Sequence, residues 1–145
     1  KKGLTLSFAE SCTGGLVQKL LTDIPGSSAY LKGGMVAYSN EIKNRILGID
    51  NEILNKNGAV SEIVAIEMAK KTRQLFKTDI AGAISGVAGP DGGTPDKPVG
   101  TVHLAIDYRG KITHIKTFLI GDRSIIRQKA AEKLLYMIHE ILLSS

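Results

Sequence analysis

Leu4, Leu6 and Phe8 alternate with Thr5, Ser7 and Ala9, a period of two that predicts a strand with one buried face. Leu16, Val17, Leu20 and Leu21 then recur at helical spacing, so Gly14 and Gly15 fall on a strand-to-helix turn. Beyond the turn-rich stretch 23–28, the run GMVAY from Gly34 to Tyr38 predicts a second strand. Ser39 or Asn40 can cap the helix that follows, which places Lys43 near its first turn and Ile42, Ile46 and Leu47 on its inner face.

A longer helix is predicted from about Ser61, carrying Val64, Met68, Leu75 and Phe76, and the small-residue run IAGAISG predicts a third strand. Periodicity then vanishes from Gly86 to Gly100, where Gly and Pro punctuate either a lid over a ligand or a long connection. TVHLAIDY and ITHIKTFLI flank Arg109-Gly110 as an antiparallel hairpin. After Gly121-Asp122-Arg123, the repeats Ile125/Ile126, Ala130, Leu134, Met137/Ile138 and Ile141/Leu142 define one long amphipathic helix.

This alternation predicts an α/β fold, a three-layer α/β/α sandwich with a mixed sheet, as a single domain over residues 1–145. In such sheets ligands favour the carboxyl ends of parallel strands. The segment SCTGG at 11–15, Tyr38-Ser39-Asn40 and Ser85-Gly86 all follow predicted strands, so they are expected to converge on one edge.

Composition narrows the classes. The single cysteine, Cys12, excludes an internal disulfide, and no Cys/His cluster has zinc-ligand spacing, so a reducing, cytoplasmic setting without a structural metal is expected. There is no apolar run of membrane-spanning length and no signal-peptide pattern at Lys1-Lys2-Gly3. The chain begins without methionine directly before a strand, which is the expectation for a fragment or trimmed form. The formal charge of +5 raises nucleic-acid binding, but Lys70, Lys71, Arg73 and Lys77 fall within one helix as its solvated face. Aromatic residues, at 5%, offer no stacking platform, so nucleic acid is disfavoured while a small anionic ligand stays compatible with the charge.

Several common chemistries lose their signatures. There is no G-x-x-x-x-G-K-[ST], no G-x-G-x-x-G after a strand, no G-x-S-x-G and no H-E-x-x-H. His103 and His114 lie in the predicted hairpin and His139 late in the terminal helix, positions that suit packing or surface better than a catalytic base. Ser11 is a weak nucleophile without a base, and in the absence of a histidine the alternative is a lysine held neutral by desolvation. Lys43, on the same strand-to-helix corner as Tyr38, is the preferred candidate, and Tyr38 can share the proton relay through its phenol. The N–H groups around Thr13, Gly14 and Gly15 can bind an oxyanion or a phosphate, or the segment can simply cap a helix. Cys12 reads as a small packed residue, and Arg123 as either a surface cation or an anion clamp.

Taken together, AESCTGG at 9–15, DIPGSSAYLKGGMVAYSNEIK at 23–43, GAVSE at 58–62, SGVAGPDGGTPDKPVGTV at 85–102 and GDR at 121–123 form a specific pattern over nearly the whole chain. In it the chain resembles the C-terminal domain of the competence/damage-inducible CinA proteins, including their stand-alone form PncC, the nicotinamide-nucleotide amidase. The resemblance implies hydrolysis of the carboxamide of nicotinamide mononucleotide to nicotinic acid mononucleotide and ammonia, with no metal or organic cofactor. By motif position it implies Ser11 as nucleophile, Lys43 and Tyr38 as proton-transfer partners, Thr13, Gly14, Asn40, Ser85 and Gly86 lining the pocket, and Arg123 meeting the substrate's negative charge. It further implies a homodimer or larger assembly. It implies too that many members carry a separate N-terminal domain and that a helix usually precedes the first strand, and neither is expected within residues 1–145. Two other classes remain as alternatives: a non-catalytic nucleotide-binding module, and a competence-associated partner of nucleic acid.

Overall fold

The computed structural model describes residues 2–145. The chain runs through β1 (Leu6–Glu10), α1 (Leu16–Thr22), a short 3-10 turn at Ser27–Ala29, β2 (Leu31–Val36), α2 (Asn40–Arg45) and α3 (Asn51–Asn57). It continues through α4 (Glu62–Phe76), β3 (Ile80–Gly86), β4 (Thr101–Tyr108), β5 (Lys111–Phe118) and α5 (Arg123–Leu143). The five strands form one sheet in the order β2-β1-β3-β4-β5. β2, β1 and β3 are parallel, whereas β4 and β5 join them as an antiparallel hairpin. The mixed sheet and its two covered faces give the α/β/α sandwich that the pattern predicts.

The two faces are built from residues of different size. Phe8, Ile84, Leu104 and Ile106 meet Val17 and Leu21 of α1 and Ile126, Leu134 and Ile138 of α5 in one core cluster. Ala9, Ala83 and Ala105 line the other face, where Val64, Ala65, Met68 and Ala69 of α4 seat on them with Leu47, Ile49 and Leu54. Gly82 shows why a small residue interrupts the large face: a Cβ there would stand 2.9 Å from the Phe8 ring.

Three expectations are corrected. β1 is buried on both faces, because an inner strand of a sheet covered by helices has no solvent side. Ser7 is therefore internal and hydrogen-bonds the Thr78 hydroxyl at 2.6 Å. The second strand lies earlier than GMVAY, at Leu31–Val36, where Gly34 is required by close approach: a Cβ would stand 2.5 Å from the Phe8 main-chain oxygen. The helix after it stops at Arg45, so Ile46 leaves helical spacing and is exposed, as is Leu75 late in α4. The seven-residue α3, capped by Asp50 through Glu52 N–H, carries too few apolar positions to register as a period.

The parallel half of the sheet sets the site. From β1 the chain crosses to β2 on one side and then back past β1 to β3 on the other, so the connections leaving the carboxyl ends of the paired strands β1 and β3 run in opposite directions. A crevice opens at such a point.

Candidate active site

At that crevice lies a cleft of about 300 Å³ lined by Ser11, Cys12, Tyr38, Lys43, Ala59, Val60, Ser85, the segment 86–89, Asp91, Gly92 and Arg123. A larger apolar groove of about 620 Å³, bordered by Leu4, Leu6, Tyr30 and His139, lies at the amino ends of β1 and β3. It holds no paired nucleophile and base, whereas the smaller cleft does.

Ser11 is the first residue beyond β1, with its N–H tied to the Ile84 oxygen of β3 at 3.0 Å, so the strand pairing itself fixes where the hydroxyl emerges. Lys43 is fully buried, and its Nζ donates to Ser11 Oγ at 3.2 Å and to the Tyr38 main-chain oxygen at 3.0 Å. Burial disfavours the ammonium form and pulls Lys43 down to about 8, from an ordinary value near 10.5. Desolvation, and not the start of a helix, is the cause: Lys43 lies in the last turn of the six-residue α2, whose N-terminus is capped by Ser39 through Ile42 N–H.

The sequence-predicted residues divide into two sets. Ser11, Tyr38, Lys43, Ser85, Gly86 and Arg123 all line the cleft. Tyr38 meets Lys43 through its main-chain oxygen; its phenol is 59% exposed at the rim, where Arg123 Nη2 lies 3.2 Å from the hydroxyl. The other Arg123 nitrogen donates to Gly89 O at 2.7 Å, so this side chain bridges Tyr38 and the Gly-rich segment. Ser85 Oγ donates to Ala59 O at 2.6 Å and closes the back wall.

Thr13, Gly14, Gly15 and Asn40 do not line the cleft. Asn40 is exposed at the start of α2, Thr13 is buried with its hydroxyl unpartnered, and Gly14 N–H is spent on Ser11 O at 3.1 Å. The positive end of α1 is already occupied from within. Glu10, fully buried at the end of β1, accepts from Val17 N–H at 2.9 Å, Gln18 N–H at 3.2 Å and Gln18 Nε2 at 2.8 Å. A carboxylate in that position satisfies the helix N-terminus and leaves no vacancy there for a ligand's charge. The glycines instead turn the chain: Gly14 and Gly15 adopt φ of 58° and 102°, which a residue with a Cβ resists.

Pattern reasoning passed over Glu10, Arg127, Asp91 and the Ala59-Val60 wall. The last of these belongs to GAVSE, a stretch between two helices that carries part of the family resemblance but was given no place in the site. Cys12 lines the cleft beside Ser11, but burial pushes its thiol up to about 11. His103 and His114 stack on each other away from the cleft, with Nδ1 of one 2.9 Å from Nε2 of the other, and form no triad. Among the described residues no cluster of His, Cys, Asp or Glu is spaced to hold a metal ion, and no helix is long and apolar enough to cross a membrane.

Fold and cleft together define an α/β domain with a buried Ser–Lys pair at the carboxyl ends of its parallel strands. The chain belongs to the CinA C-terminal domain family, whose model matches residues 1–142. It is 52% identical over 131 residues to a CinA-like protein of Gemmatimonas aurantiaca, covering 90% of this chain and 31% of that protein. A CinA-like protein of Geobacter sulfurreducens is 50% identical over 131 residues, covering 90% and 32%. The chain thus spans about a third of the length of the curated relatives it matches. Among solved structures, the competence damage-inducible protein A of Klebsiella pneumoniae aligns with a TM-score of 0.95 at 36% identity, covering 98% of this chain and 88% of that one. The competence/damage inducible protein CihA of Agrobacterium tumefaciens aligns at 0.93 and 41%, covering 99% and 87%.

Proposed function

We propose that the chain hydrolyses the carboxamide of nicotinamide mononucleotide to nicotinic acid mononucleotide and ammonia, with Ser11 as nucleophile and Lys43 as its base. The observation that supports this reading is the 3.2 Å contact between Lys43 Nζ and Ser11 Oγ, made by a fully buried lysine at the cleft wall. A lysine brought down to about 8 keeps a usable neutral fraction near physiological pH, which a surface lysine does not.

In this mechanism neutral Lys43 takes the Ser11 proton as Oγ bonds to the amide carbon, and the carbonyl oxygen becomes an oxyanion. The N–H of Cys12, the residue that follows the nucleophile on the cleft wall, is the donor this reading assigns to that oxyanion. Collapse breaks the C–N bond while the Lys43 ammonium returns its proton to the departing nitrogen, releasing ammonia. Water then attacks the Ser11 ester, Lys43 again takes the proton, and the carboxylate product leaves with the serine restored. The Tyr38 oxygen holds Lys43 in place, its phenol shares the proton traffic at the rim, and Arg123 beside it meets the substrate phosphate. The molecule acts as a homodimer or larger assembly in this reading.

The test is ammonia release from nicotinamide mononucleotide by the chain and by Ser11→Ala, with no added metal. Release by the parent that disappears in the variant supports the reaction and its nucleophile together. A folded parent that binds the nucleotide and releases no ammonia overturns the hydrolytic reading in favour of a binding module.

A further inference from the structure

Three successive main-chain oxygens follow the Ser11 side chain, and each has a donor. Gly14 N–H donates to Ser11 O at 3.1 Å, Arg127 Nε to Cys12 O at 3.0 Å, and Arg127 Nη2 to Thr13 O at 2.9 Å, where Leu16 N–H also arrives at 3.1 Å. Arg127 reaches this corner from α5, across 115 residues of sequence, and is half-buried there. It does not line the cleft; Arg123, one helical turn earlier on α5, does.

The two arginines therefore have separate tasks. Arg123 faces the opening, whereas Arg127 grips the backbone behind the nucleophile. A trans peptide holds its C=O and the N–H of the next residue in one plane, pointing in opposite directions, so gripping an oxygen also aims the following N–H. Cys12 O has Arg127 as its donor, which makes the orientation of the Cys12–Thr13 peptide depend on a single side chain. There is little slack, because a Cβ on Gly14 would stand 3.2 Å from Arg127 Nη2.

We infer that Arg127 is a positioning residue: its forked guanidinium fixes the Cys12–Thr13 and Thr13–Gly14 peptides, and the second of these aims Gly14 N–H at Ser11 O, so that the Ser11–Cys12 peptide is held and Ser11 Oγ is kept at Lys43. This inference rests on the reading of Ser11 as nucleophile. The planar fork suits two adjacent oxygens served by Nε and Nη2, whereas a lysine brings its donors from one rotating nitrogen without that fixed spacing. The charge is also felt at the corner, where Arg127 opposes the upward push of burial on the Cys12 thiol.

The experiment uses the full chain and its Arg127→Lys and Arg127→Met variants, with kcat and KM measured on nicotinamide mononucleotide and amide hydrogen exchange followed over residues 11–16. A misplaced catalytic group costs on the order of 10- to 100-fold, so R127M is expected to lose that much kcat with KM changed by less than about threefold. R127K is expected to fall between, and exchange is expected to quicken at Gly14 and Leu16 while β3 and β4 keep parental rates. An R127M kcat within about twofold of the parent overturns the inference, as does faster exchange spread evenly over the chain. If the parent releases no ammonia, the amide-hydrolysis reading fails separately, and exchange alone decides: quickening confined to 11–16 supports Arg127 as the grip on the corner, and unchanged rates there overturn it.

Discussion

Lys43 Nζ stands 3.2 Å from Ser11 Oγ across 32 residues of sequence, and neither group reaches the other through its own element. Ser11 is delivered by the pairing of β1 with β3, and Lys43 by the short helix that follows β2. Because β2 and β3 flank β1 on opposite sides, the contact sits at the carboxyl ends of the parallel strands, where their connections run in opposite directions. The sheet thus supplies the geometry, and the interior supplies the chemistry, since burial is what lowers the lysine to about 8.

A pH profile follows from that value. If neutral Lys43 is the base, log kcat should rise with pH from about 6, bend near 8 and level above it. Ammonia release measured from pH 6 to 10 at saturating substrate checks this. A profile with no inflection between 7 and 9 excludes Lys43 as the titrating base.

Cys12 neighbours Ser11 and invites confusion with it. Its thiol, pushed up to about 11 by burial, holds almost no thiolate at pH 7.5. Native protein should react with iodoacetamide at least tenfold more slowly than urea-unfolded chain, and Cys12→Ala should retain kcat within about threefold while losing roughly 1 kcal/mol of stability for the small void. Rapid alkylation of the folded protein, with loss of ammonia release, would reassign the nucleophile.

The legible parts of this molecule are those where a local pattern and the tertiary structure agree. α4 and α5 carry apolar repeats that the core consumes, and Ser11 and Ser85 sit at the carboxyl ends of β1 and β3, which the pattern located. The parts that were hidden depend on direction. Glu10 gave no signal of its own, because an unpaired carboxylate is rarely buried and its three N–H partners exist only after α1 turns back over β1. Gly14 and Gly15, where an anion site or a helix cap was open, do not line the cleft, and the helix end behind them already has its anion. Arg127 was equally silent, being one cation among several on a long helix until the fold brings Cys12 O and Thr13 O to it.

Glu10 can be tested directly. Glu10→Gln keeps the shape but turns an oxygen into a donor that faces the N–H groups of α1. It should cost about 1–3 kcal/mol in urea unfolding at pH 7, the usual penalty for buried donors left unpaired. Stability unchanged within about 0.5 kcal/mol would show that the helix end does not rely on this carboxylate.

His103 gives the chain an acid-side sensitivity. Burial first, then the neighbouring His114 and Lys116, hold it down to about 4, from an ordinary value near 6.5. The unfolded chain therefore binds a proton that the folded chain refuses between those values, and stability should fall as pH drops from 6.5 toward 4. His103→Gln should flatten that part of the curve, measured by urea unfolding at pH 7 and 4.5. An identical slope in the variant places the acid sensitivity elsewhere.

Lys43 should show the reverse of what most buried residues show on substitution. The unfolded chain keeps this proton up to about 10.5, while the folded chain releases it near 8, so the unfolded state binds more protons across that window and stability rises with pH through it. Below about 8 the full cost of the lowered value is present, on the order of 3 kcal/mol at 1.36 kcal/mol per pH unit. Lys43→Met has similar length and no charge to bury, and it gives up only the two contacts to Ser11 Oγ and Tyr38 O. We expect K43M to be about 1–3 kcal/mol more stable than the parent in urea at pH 7, to lose that advantage by pH 10.5, and to drop kcat by roughly 10²- to 10⁴-fold. An equal stability difference at both pH values would mean that the parent lysine is not held neutral by burial. Full activity in a folded K43M would remove it from the reaction. Stability gained together with activity lost would locate the strain of this fold in the group that makes its serine reactive.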